Sequence, residues 1–79
     1  MDLQSLGHAA ATYQRDPRII KIALLAVQAD LAAAVGAPIP HEAQPALTLN
    51  GLPYFHTDHI AAAVGWLVER EAKEAGKNV

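Results

Sequence analysis

The chain has 79 residues, a formal net charge of −2, an apolar fraction of 52% and no cysteine. A chain this short makes one domain, whose single core contributes roughly 3–5 kcal/mol net. Without cysteine it has no disulfide, thiolate metal site or cysteine nucleophile, which fits a reducing compartment, and its negative balance argues against bulk electrostatic affinity for nucleic acid.

The first predicted element is a helix over about residues 2–14, with Asp2 as N-cap and Leu3, Leu6, Ala10 and Tyr13 at helical spacing, weakened by Gly7. Asp16-Pro17 then starts a second helix over about 17–35, Asp16 capping it and Pro17 filling the first helical position, where a missing donor costs nothing. Ile20, Leu24, Val27, Leu31 and Val35 form its main stripe. Ile19, Ile22, Ala23, Leu25 and Ala26 carry apolar character around most of the circumference, so the helix is expected to be covered on more than one side. Gly36 closes it, and Pro38, Pro40 and Pro45 keep 37–45 an extended surface connector.

Asn50-Gly51 between Leu47-Thr48-Leu49 and Leu52-Pro53-Tyr54-Phe55 is a strong hairpin signal, because both residues tolerate the positive φ of a type I′ turn. The hairpin is placed at about 46–55, with Pro53 confining its second strand to a sheet edge or ending it early. Thr57 or Asp58 can cap a last helix over about 58–75. Gly76 should stop that helix, Lys73 and Lys77 complement its C-terminal dipole, and residues 77–79 should fray. The fold class is therefore mainly α: three helices with one short β-hairpin between the second and third, in a single small domain.

On the last helix Ile60, Ala63, Val64, Leu67 and Val68 share the core face, whereas Trp66 lies about a quarter turn away, beside His59 and Ala62. Such a flank suits a partner contact, since tryptophan offers large area at low entropy cost; equally, Trp66 could cover the hairpin of its own chain. Tyr54 and His56 extend the candidate surface. His56, Asp58 and His59, joined by His41, could supply nitrogen and oxygen ligands to zinc, but helix capping with solvated histidines explains them without a metal, so no metal or other cofactor is expected. Arg15, Arg18 and Lys21 form a basic cluster at the start of the second helix, where positive charge opposes the dipole; a phosphate or an acidic surface could bind there.

Ser5 is the one serine, no glycine-rich phosphate loop is present, and the four Asp and four Glu show no motif spacing, so no catalytic residue is assigned. The stretch Ile19 to Val35 is interrupted by Lys21, Gln28 and Asp30 and makes a poor membrane span; with no basic region leading an apolar run at the start, a cytoplasmic location is expected. The segment Leu49–Gly65, running from Asn50-Gly51-Leu52-Pro53-Tyr54-Phe55 into Asp58-His59-Ile60-Ala61-Ala62-Ala63-Val64-Gly65, resembles the hairpin-to-helix junction of phage antirepressor N-terminal domains. Val64 stands where that family has leucine, and the two preceding helices depart from its pattern.

Seventeen of the apolar residues are alanine, whose burial contributes little beside leucine or isoleucine, so self-association is expected to supply missing core. The leading expectation is a non-enzymatic, homodimeric interaction protein that binds and modulates a larger protein. The alternative, a DNA-linked role that the resemblance keeps open, is a small DNA-binding regulator using the hairpin as a wing, with the basic cluster Arg15, Arg18 and Lys21 on phosphates.

Overall fold

The computed structural model describes residues 2–77, with side chains to Gly76. In chain order it holds β1 (Leu3–Ser5), α1 (Leu6–Tyr13), α2 (Pro17–Val35), β2 (Leu47–Leu49), β3 (Leu52–His56) and α3 (Thr57–Lys77). Three helices with an antiparallel hairpin between the second and third are thus the framework of the chain. Asn78, Val79 and the Lys77 side chain, on which the expectations of fraying and dipole pairing fall, lie outside the described residues.

The first helix starts later than its pattern suggests. Leu3–Ser5 is a strand, pairing Leu3 with His56, Gln4 with Phe55 and Ser5 with Tyr54, and the Thr57 N–H extends the ladder by donating to the Asp2 C=O at 3.1 Å. Ser5, not Asp2, is the N-cap, its hydroxyl accepting from the His8 N–H at 3.1 Å. Pairing in the sheet gives three residues more backbone bonds than a frayed first helical turn would. At the other end Gln14, at φ 55°, turns the chain through the three-residue link to α2.

α2 follows its sequence signals at both ends. The Asp16 carboxylate accepts from the Arg18 N–H at 2.8 Å, and Gly36, at φ 73°, donates back to the Ala32 and Ala33 carbonyls. The connector after it is tied down by one side chain: the Gln28 carboxamide donates to the Gln44 C=O at 2.9 Å and accepts from the Gln44 N–H at 2.6 Å. That two-way clamp imitates a strand pairing and seats Ala43 in the core.

The hairpin turns on Asn50 at φ 52° and Gly51 at φ 80°, the two positive values a type I′ turn requires. Pro53, however, lies in the central strand, because the sheet order is β1-β3-β2. With Leu49 opposite Leu52 next to a two-residue turn, the Leu52 and Tyr54 donors face β2 and the Pro53 position faces the other side. There β1 has already ended, at Ser5 opposite Tyr54. No ladder bond is lost, so the proline is accommodated away from an edge.

α3 begins one residue earlier than expected: Thr57 is already helical and Asp58 sits in the first turn, where its charge suits the dipole. It also runs through Gly76 to Lys77; a helical glycine costs about 1 kcal/mol, which is insufficient to stop a helix by itself. The core joins Ala9, Ile20, Ala23, Leu24, Ala43, Phe55, Ile60, Ala63 and Leu67. The expected core stripes are thus covered only in part. Leu31 and Val35 of α2 and Val68 of α3 are exposed, as are Ile19 and Ile22 on the opposite side of α2.

Candidate functional site

Tyr54 and His56 stand two apart on β3 and so share one face of the strand. Where β3 runs directly into α3, the chain carries His56 against His59, ring centroids 5.2 Å apart and edge to face. Both imidazoles are half-buried. The structure therefore assembles three of the predicted partner-binding residues, Tyr54, His56 and His59, into one patch.

The two histidines border an open groove of about 370 Å³. Leu31, Ala32 and Gln28 of α2 form one wall, and Pro38, Pro40 and Pro45 of the connector form the other. No lining residue is acidic, and none is lysine or arginine. The Gln28–Gln44 clamp fixes the distance between the walls, so the groove exists before anything enters it. Prolines with no donor, leucine, alanine and two imidazoles suit an apolar segment bearing a few hydrogen-bonding groups. Sequence reasoning missed this groove, since the Gln28–Gln44 pairing that builds it spans sixteen residues with no local signature.

Trp66 lies farther along the same flank of α3, two turns after His59. It is half-buried and packs against the core, and the Arg70 guanidinium stacks over its ring at 4.7 Å. Ala62, between them, is exposed. The indole is thus divided, one part supporting the core and the rest covered by a cation that a partner could displace.

The basic cluster is largely neutralised within the chain. Arg15 pairs with Glu71 of α3 at 2.6 Å. Arg18 grips the Asp16 carboxylate with Nε at 3.3 Å and Nη2 at 2.9 Å, which raises the guanidinium pKa, and its side-chain and backbone hydrogen bonds hold the Asp16 carboxyl below its ordinary value. Lys21 is exposed. Among the described residues no three His, Asp or Glu side chains are grouped to hold a metal ion, and no helix is long and apolar enough to cross a membrane. In comparisons with known proteins, no family model, no curated protein and no solved structure matches the chain.

Proposed function

We propose that this chain is a non-enzymatic interaction module that self-associates and docks a larger protein along the surface running from Tyr54 through His56, His59 and Ala62 to Trp66. The observation that carries this reading is the preformed groove beside the paired histidines, which is apolar and free of fixed charge in a chain of net charge −2. A regulatory, cytoplasmic role belongs to the same proposal. The test is quantitative capture from the native host by wild type, His59→Ala, Trp66→Ala and Ile22→Lys. Recovery of one specific protein should fall at least tenfold for the first two variants, as for contacts central to an interface, and stay unchanged for the third. Equal recovery by all four sinks the docking surface.

A second reading is favoured by the order of elements: two helices joined by a three-residue link and followed by a hairpin, as in helix-turn-helix proteins with a wing. It requires Arg15 and Arg18 to leave Glu71 and Asp16 for phosphates. A mobility shift with duplex DNA that weakens steeply with salt supports it, and no shift at low salt removes it.

A further inference from the structure

The register of the hairpin decides where its leucines point. Leu47 stands opposite Tyr54 and Leu49 opposite Leu52. Directly opposed residues and residues two apart share a face, so these four residues lie on one face of the hairpin. Phe55, at 2% exposure, marks the other face as the one on the core. Leu47 and Leu49 thus lie on the face away from Phe55, and Thr48 on the Phe55 side is exposed as well, so no residue of β2 is buried within the single chain. Leu47, Leu49 and Leu52 are each about half exposed in the single chain.

Charge narrows what can cover them. No Asp, Glu, Lys or Arg occurs from residue 43 to residue 57, whereas all fourteen such residues lie before or after that stretch. Natural sheets guard exposed edges with lysine, proline or a bulge, and β2 itself holds neither charge nor proline. A two-fold contact sets a surface against itself, so any fixed charge near its centre meets its own sign. An apolar face without charge meets that condition.

We infer that the outward face of the hairpin, formed by Leu47, Leu49, Leu52 and Tyr54, is the seat of a second copy of this chain. This rests on the self-association proposed above and assigns it a face. Three half-exposed leucines and a tyrosine fall short of the roughly 800 Å² per partner of a standard interface, so the dimer is concentration-dependent.

Sedimentation equilibrium from about 1 μM to about 1 mM, a range spanning weak to moderate dimers, reads it directly. Wild type shifts from monomer to dimer across the range, Leu49→Lys weakens association at least tenfold, and Ile22→Lys, on the exposed side of α2, leaves it unchanged. Because the chain has no cysteine, single-cysteine variants give a second readout that needs no loss of folding: oxidised Leu49→Cys should cross-link as a dimer and Ile22→Cys should not. Dimers that resist Leu49→Lys and yield to Ile22→Lys overturn the face while keeping self-association. A monomer throughout the range overturns both.

Discussion

The apolar stripe of α2 meets opposite fates at its two ends. In its first turns Ile20, Ala23 and Leu24 are fully buried among residues of α1, β3 and α3; in its last turns Leu31 is 49% and Val35 78% exposed. Hydrophobicity along a helix therefore states what can be covered, and the neighbouring elements decide what is. Around the first half the chain supplies three other elements. Beside the second it supplies the proline connector, tied to α2 by the Gln28 clamp, and the histidines His56 and His59, and these leave a groove between them.

The sharpest way to break this contrast is a pair of truncations. Leu24→Ala should cost about 2–5 kcal/mol, as for a fully buried leucine, which is enough to unfold most of a domain this small at room temperature. Val35→Ala should stay within about 0.5 kcal/mol. Urea denaturation of both variants at low protein concentration checks it; a large loss for Val35→Ala would mean that the second half is covered after all. Next in size, Gly51→Val forces a β-branched residue to φ near 80° and should cost more than about 1 kcal/mol. An unchanged denaturation midpoint would remove the turn on which the leucine face depends.

The connector gives a smaller and more local effect. Gln28→Ala removes both bonds to Gln44 and should cost about 1 kcal/mol, while hydrogen exchange at the Gln44 amide speeds up and exchange at Leu24 follows only the global change. Uniform loss of protection would show that the groove wall and the core are one cooperative unit.

What was legible in the sequence was local chemistry. Asp16-Pro17, Gly36 and Asn50-Gly51 each fix a boundary by a dihedral or a cap that needs no distant partner, and each boundary stands where those residues put it. Leu3–Ser5 was not legible, because its partner lies about fifty residues away and its side chains carry no strand preference. Pro53 misled for a related reason: proline says that a donor is missing, and only the sheet order says which way it would have pointed. The outward phase of Leu47 and Leu49 could have been read, since the Asn-Gly turn sets the register and Phe55 marks the core face. Of the candidate site, Tyr54, His56 and His59 were legible as neighbours in sequence; the groove was not, because Pro38 and Leu31 meet only after the connector folds back.

The smallest effect separates two jobs done by one carboxylate. Asp16 caps α2 through the Arg18 N–H and also pairs with the Arg18 guanidinium, and both contacts favour its charged form. Its pKa in the fold therefore lies below the ordinary 3.8 of the unfolded chain. A lowered carboxylate pKa adds stability that is fully present above the unfolded value and is lost as pH falls through the folded one. Asn caps a helix about as well as Asp but cannot titrate, and an exposed ion pair is worth little. Asp16→Asn should accordingly match wild type near neutrality, and the two should differ in slope only below about pH 4, where wild type alone gives up the contribution of this group. Thermal melts from pH 7 to pH 2 read the difference. Parallel curves would mean that the Asp16 carboxylate is no better off in the fold than in the unfolded chain, and that Arg18 is as free for another anion as Lys21.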